Sequence, residues 1–245
     1  MEYSKIILMY HDVISDAFPK SGFQKVGALQ YTLDSRAISE QVSKYSKGNI
    51  IFSFDDGGDS FYNEIAPVLE HNNQKGIFFI STQYIDTSHF LSKDQIKELD
   101  KRGHIIASHS HTHPAKISSL SREDCLKEWK ESKQILESIV GHEVTSGSIP
   151  GGAISNMVIN CMIDVGYKDI YTSEPTTKVR SYRGAQIIGR YGITRNMNNR
   201  TISKLVNSKC YRNTLLLKYH VLRYAKIVMG SQYNRIKQLF LRVLK

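Results

Sequence analysis

Between residues 49 and 190 short apolar runs alternate with segments of helical periodicity. The runs 49–54, 76–80, 104–107, 144–148, 169–172 and 186–189, with 5–10 ahead of them, are nearly continuous in β-branched and aromatic residues. Strands buried on both faces read this way, whereas half-exposed strands alternate. Ser92 stands as a cap before a helix over 93–102, with Ile96 and Leu99 apolar and Gly103 at its stop. Ser121 opens a second helix to about Val140, with Glu123 and Asp124 in its first turn. Leu126, Trp129, Ile135, Leu136 and Ile139 follow there at roughly helical spacing. Repeated strand–helix units predict an α/β fold around a parallel sheet, open or closed into a barrel.

After Asn199 the pattern changes. Leu217, Val221, Tyr224, Ala225 and Val228 form one apolar helical stripe, and Ile236, Leu239, Phe240, Val243 and Leu244 a second. Gly230 separates them, and Lys and Arg fill positions off the stripes. The expected organisation is an α/β body over 1–199 and a basic amphipathic helical extension over 200–245.

Composition narrows the class. With 40% hydrophobic and 23% charged residues, the 245-residue chain is neither disordered nor fibrous. No apolar run approaches the ~20 residues that span a bilayer, and the opening apolar stretch is too short for a signal-peptide core. Cys125, Cys161 and Cys210 form no CxxC pair, against a disulfide framework or a cysteine zinc site. A soluble, cytoplasmic protein is expected. Its net charge of +10 is uneven: the 71 residues after Glu174 hold 16 Lys and Arg with no Asp or Glu, while the first 174 hold 17 basic against 23 acidic residues. Such asymmetry calls for an anionic partner. Apolar stripes flanked by cations suit either an anionic membrane surface, peripheral on its inner face, for the last 30 or so residues, or packing on the barrel with the cations facing water. Because the tail's aromatic residues sit in helical patterns rather than on a stacking strand, no nucleic acid is expected.

Two constellations carry chemistry. Phe52-Ser53-Phe54-Asp55-Asp56-Gly57-Gly58 puts adjacent carboxylates at a strand's carboxyl end, where α/β folds place active sites. In extended chain the two side chains point apart and can serve different roles. Ser108-His109-Ser110-His111-Thr112-His113-Pro114 puts three imidazoles after another strand, and neutral imidazole is a preferred ligand of divalent transition metals. One carboxylate and two histidines leave a coordination position for water, acidifying it and polarising a carbonyl. The unused carboxylate then serves as general base.

Phe54-Asp55-Asp56-Gly57 and His109-Ser110, with His113-Pro114, resemble the first two motifs of the polysaccharide deacetylases with a NodB-homology domain (carbohydrate esterase family 4), over about residues 5–195. The resemblance implies a distorted (β/α) barrel of about seven strands and metal-dependent removal of N-acetyl groups from an amino-sugar glycan or glycan precursor, lipid-linked precursors included. By motif position Asp56, His109 and His113 would bind one divalent metal ion, zinc being the expected one. Asp55 would be the base, Ser110 would orient the loop, and His111 matches a variable position. Asp59 and Asn63 are expected along the groove, and Ser21-Gly22-Phe23 on its substrate side. The third motif departs from the family: Ser148-Ile149-Pro150-Gly151-Gly152 keeps the proline but lacks the arginine and tyrosine. A Gly151 amide could still serve the oxyanion, and Arg190 is the candidate partner for Asp55, against the reading of one more cation in a basic tail. The family's late Leu-x-x-x-His motif is missing from its expected place. Leu216–His220 imitates it within the amphipathic segment, where His220 reads as solvated. Instead Met9-Tyr10-His11-Asp12-Val13 resembles the "YHxV" of permuted family members, making His11 the candidate acid. The alternative is a non-catalytic carbohydrate-binding or scaffold protein on a deacetylase-like fold.

Overall fold

The computed structural model describes residues 5–229. Its strands, in chain order, are β1 (Ile6–Tyr10), β2 (Val13–Ile14), β3 (Leu33–Asp34), β4 (Ile50–Phe54), β5 (Gly76–Ile80) and β6 (Ile105–Ser108). They continue with β7 (Ser146–Ser148), β8 (Asp169–Tyr171), β9 (Arg180–Tyr182), β10 (Ala185–Ile188) and β11 (Tyr191–Gly192). Nine form one curled sheet in the order β11-β1-β4-β5-β6-β7-β8-β10-β9, while β2 and β3 pair separately. All neighbours in the large sheet are parallel except β9 and β10. Each of the seven apolar runs of the sequence became one strand. The two additional strands are the short β11 and the exposed β9 at the sheet's ends. β11 and β9 are not joined, so among the described residues the barrel stays open on one side.

Both sheet faces are covered, which is why the strands lack polar alternation. Ile7, Ile77, Phe79, Ala107 and Tyr171 fill the concave interior. Their neighbours Leu8, Phe52, Phe54, Phe78 and Ile106 face outward into the main core. There they meet α2 (Ser35–Tyr45), α3 (Ala66–His71) and α4 (Lys93–Lys101), the first preceded by a single turn, α1 (Val26–Leu29). A second outer core joins α5 (Arg122–Val140) and α6 (Asn156–Val165) to β8 and β10 through Trp129, Val158, Met162, Ile170 and Ile187. α4 begins with a capping box in which Ser92 Oγ accepts from Gln95 N and the Gln95 side chain from Ser92 N. α5 starts on Ser121 and stops at Gly141, whose φ of 81° is left-handed.

The carboxyl-terminal region differs from the expected separate extension. α7 (Asn199–Asn207) buries Ile202 and Leu205 in the same core as β1 and β4, so the fold continues past residue 199. α8 (Lys209–Met229) follows, packing Tyr211 and Leu215 against that core. The second stripe, from Ile236 onward, and Gly230 lie outside the described residues. No helix among the described residues is long and apolar enough to cross a membrane.

The register sets the site. Tyr10 pairs with Phe54, and Ile80 with Ser108, which in turn pairs with Gly147. The residues just past these strand ends, His11 after β1, Asp55 after β4, His109 after β6 and Ile149 after β7, therefore emerge along one rim.

Candidate active site

At that rim opens a cleft of about 440 Å³, lined among others by His11, Phe23, Asp55, Asp56, His109 and His113. Asp56 Oδ1 lies 3.4 Å from both His109 Nε2 and His113 Nε2. One ligand atom from each of these three residues falls within 4.8 Å of the others. His109 donates its Nδ1 proton to the Ser148 carbonyl at 2.9 Å, leaving the Nε2 lone pair toward Asp56. Two imidazoles and a carboxylate converging on one point fit a divalent transition metal. Burial alone would raise the Asp56 carboxyl, but the imidazoles of His109 and His113 beside it, together with the nearby His11, hold it well below the usual carboxylate range. His109 moves the other way: its burial disfavours charge, yet Asp55 and Asp56 lift it above its ordinary value. The same negative field would hold a cation.

Backbone strain marks the spot. Asp56, Ser110 and His113 all have left-handed φ, at 91°, 65° and 52°. Such non-glycine conformations cost about 1–3 kcal/mol each and need local support. Ser110 Oγ accepts the His113 amide at 3.2 Å, and Ser110 N donates to Ser108 Oγ. Glu128 on α5 grips the loop from outside, its Oε2 accepting the His111 and Thr112 amides and its Oε1 the Thr112 hydroxyl. The sequence reading missed Glu128, whose only signal is a carboxylate on the loop-facing side of a helix. His111 is turned from the cluster to Thr82 Oγ1 at 2.9 Å and Glu131 at 3.7 Å.

Asp55 is clamped by Arg190, whose Nη1 and Nη2 donate to Oδ1 and Oδ2 at 2.6 and 2.8 Å. Arg190 is 1% exposed, so it is not one more solvated cation of a basic tail. Its Nη2 also donates to Ser148 Oγ at 2.6 Å, and the guanidinium stacks over Phe79 at 4.9 Å. Ser148 donates to Asp55 Oδ2 as well, another contact the sequence did not reveal. Burial raises the Asp55 carboxyl, but Arg190 and then His109 outweigh it and keep it below the usual range. Asp55 Oδ2 lies 3.9 Å from His109 Nε2, beside the ligand cluster.

His11 stacks on Tyr31 with ring centroids 4.5 Å apart, and its Nδ1 is buried without a hydrogen-bond partner. Burial pushes this imidazole below its ordinary value against the pull of Asp56 and Asp55. The next residue, Asp12, sits in a cradle where Ser21 Oγ donates to its Oδ1 at 2.8 Å. A Cβ on Gly58 would fall 1.8 Å from Asp12 Oδ1, and one on Gly22 1.9 Å from Oδ2. Burial, with Asp56 nearby, pushes the Asp12 carboxyl up to about 8. This cradle carries the Ser21-Gly22-Phe23 loop to the cleft, where Phe23 packs 5.0 Å from the His113 ring. Gly151 also lines the cleft, at a φ of 59°. Asp59 and Asn63, expected along the groove, are not among the residues lining it. Asp59 lies in the turn after β4, and Asn63 in the single helical turn Phe61–Ile65 that leads into α3. His220 is half exposed and 3.7 Å from Glu174.

The model of the polysaccharide deacetylase family matches residues 43–170, just over half of the chain. The chain belongs to this family. It is thereby a hydrolase of the carbohydrate N-deacetylase class, with a cluster that could hold a metal ion. The deacetylase is 25% identical over 213 residues to YxkH of Bacillus subtilis, whose name describes a polysaccharide deacetylase, covering 82% of this chain and 76% of that one. The fold is shared with the Streptococcus pyogenes deacetylase PplD, solved in complex with acetate, at a TM-score of 0.65 and 19% identity over 83% of this chain and 98% of that one. A de-N-acetylase from Aggregatibacter actinomycetemcomitans superimposes equally, TM-score 0.65 and 19% identity, over 82% of this chain and 99% of the other. Those structures match the open, distorted barrel. The family match includes Asp55, Asp56, His109, His113 and Gly151 of the deacetylase but neither His11 nor Arg190.

Proposed function

We propose that this deacetylase hydrolyses the N-acetyl group of an amino sugar within a glycan or glycan precursor. Asp56, His109 and His113 would hold one divalent ion, zinc by the donor set, Asp55 would act as base and His11 as acid. The observation that carries the reading is the meeting of the Asp56–His109–His113 triangle with the Arg190-clamped Asp55 at the floor of an open cleft. When bound, the ion supplies Lewis acidity, bringing a water toward neutral pKa and polarising the acetyl carbonyl. Everything else is the chain's work. Arg190 occupies both Asp55 oxygens and fixes the carboxylate plane, so the water's proton passes to Oδ2, the atom beside His109. The Gly151 amide, in the lining of the cleft, would serve as donor to negative charge on the acetyl oxygen. His11 delivers the proton that the departing amine requires, its ring held by Tyr31. The volume of about 440 Å³ is that of a small-molecule site, sized for sugar residues rather than a protein chain.

Metal analysis combined with acetate release from N-acetylglucosamine oligomers tests the reading. His109→Ala should lose both the ion and activity, whereas His111→Ala keeps the ion. Asp55→Asn should keep the ion and lose about 10²–10⁴-fold in turnover. Full activity in His11→Ala would move the acid role elsewhere, and an inert zinc-loaded protein on every N-acetylated glycan tried would end the proposal.

A further inference from the structure

α8 carries two apolar faces, and among the described residues only one is used. Tyr211 and Leu215 pack on the main core. Leu217 follows Leu215 by two residues, just over half a helical turn, and so points to the opposite side. With Val221 and Tyr224 it makes a stripe at i, i+4, i+7 whose members are 65%, 58% and 71% exposed. Soluble proteins scatter single apolar side chains over their surface, but a helical row of three large ones is a contact face. Its borders are cationic on both sides. Lys218 flanks one edge, Lys209 and Arg223 the other, and all three are exposed. No Asp or Glu occurs anywhere in the chain after Glu174.

We propose that this outer face of α8 lies on an anionic lipid surface, with Leu217, Val221 and Tyr224 entering the headgroup–acyl boundary. Charge chooses between the occupants. A second copy would set cations against cations across the seam, since the face offers no carboxylate to answer them. A nucleic-acid backbone would meet the cations but leave the apolar centre unused. Anionic headgroups over a hydrocarbon layer satisfy both parts, and an interfacial helix is built this way, tyrosine included. The attachment also bears on the cleft. His220 of α8 is 3.7 Å from Glu174, next to Ser173, which lines the cleft wall. The helix would thus hold the cleft close to the bilayer, whatever glycan enters it. This inference stands independently of the deacetylation chemistry.

The full chain is sedimented with phosphatidylcholine vesicles, with and without a third of phosphatidylglycerol, at low and high salt. Binding is expected only to the anionic vesicles and is lost at high salt. Lys209→Gln/Lys218→Gln/Arg223→Gln should lower it on the order of 10²-fold. Leu217→Ser/Val221→Ser/Tyr224→Ser should abolish it, while thermal unfolding and turnover of a soluble substrate are unchanged. Tyr224→Trp supplies a second readout, a blue-shifted emission on adding anionic vesicles. No binding at low salt, or binding indifferent to both triple variants, overturns the proposal. So does a concentration-dependent dimer that the apolar triple disperses, or duplex DNA binding without vesicle binding.

Discussion

Asp55 and Arg190 form the most consequential pair in the molecule, because both charges are buried and each is the other's main compensation. Breaking a buried pair from one side leaves an uncompensated charge and costs about 3–5 kcal/mol, whereas replacing both groups costs much less. Arg190→Met should therefore destabilise strongly, and Asp55→Asn in the same chain should recover a large part. A double-mutant cycle in urea measures this, and additive single effects would contradict it. The pair also shows which parts of the site a sequence displays. Asp55 and Asp56, or His109 and His113, are legible because one strand end delivers them together. Arg190 meets Asp55 across 135 residues and Ser148 meets it across 93, so no local pattern announces either contact. The sequence nominated Arg190 only as a basic residue after a strand, and what separates it from its solvated neighbours is burial.

Among the elements, α3 is tied to the turn between α4 and β6 by one carboxylate. Arg102 donates Nε and Nη2 to Glu70 at 2.8 and 2.7 Å, and His104 Nε2 donates to the same carboxylate at 3.0 Å. Gly76 N donates to His104 Nδ1, so this imidazole is neutral and a second proton would break that bond. Hydrogen bonds from Arg102 lead in lowering the Glu70 carboxyl to about 2 from 4.5, and burial lowers His104 from 6.5. Both groups favour the folded state in their deprotonated forms, so their contributions are complete at neutral pH. Stability should fall first as pH drops below about 6.5, with His104, and again below about 4.5 toward 2, with Glu70. Urea midpoints between pH 3 and 8 should show both stages, and Glu70→Gln should shrink the lower one without removing it, since Asp55 and Asp56 titrate low as well. The same scale marks how far periodicity reaches. β1, β4, β5 and β6 were readable because burial on both faces makes their sequences almost continuously apolar, whereas β7 is Ser-Gly-Ser and was marked only by Val144 and Thr145 ahead of it. β2, β3 and β11 have two residues each, and β9 is exposed, so tertiary pairing alone defines them. Whether the sheet closes is equally invisible to periodicity, since either architecture uses the same strand pattern.

In the whole molecule the deacetylase body does not end where the composition changes. Ile202 and Leu205 are 0% and 1% exposed in the core shared with β1 and β4. Leu205→Ala should cost about 2–5 kcal/mol, and a chain stopped at residue 199 should unfold far more readily than the full one. Thermal melts of both would decide, and an unchanged melting temperature on truncation would restore a boundary there. The apolar spacing after Asn199 correctly signalled helices, but a helix that docks and one that extends carry the same stripe. The clamp on Asp55 has a further meaning when the chain is followed as it is made. At about 5–20 residues per second, synthesis needs on the order of 7 to 27 s to travel from Asp55 to Arg190. Until Arg190 arrives, burying the Asp55 carboxylate is opposed by its charge, so that stretch of the rim stays wet.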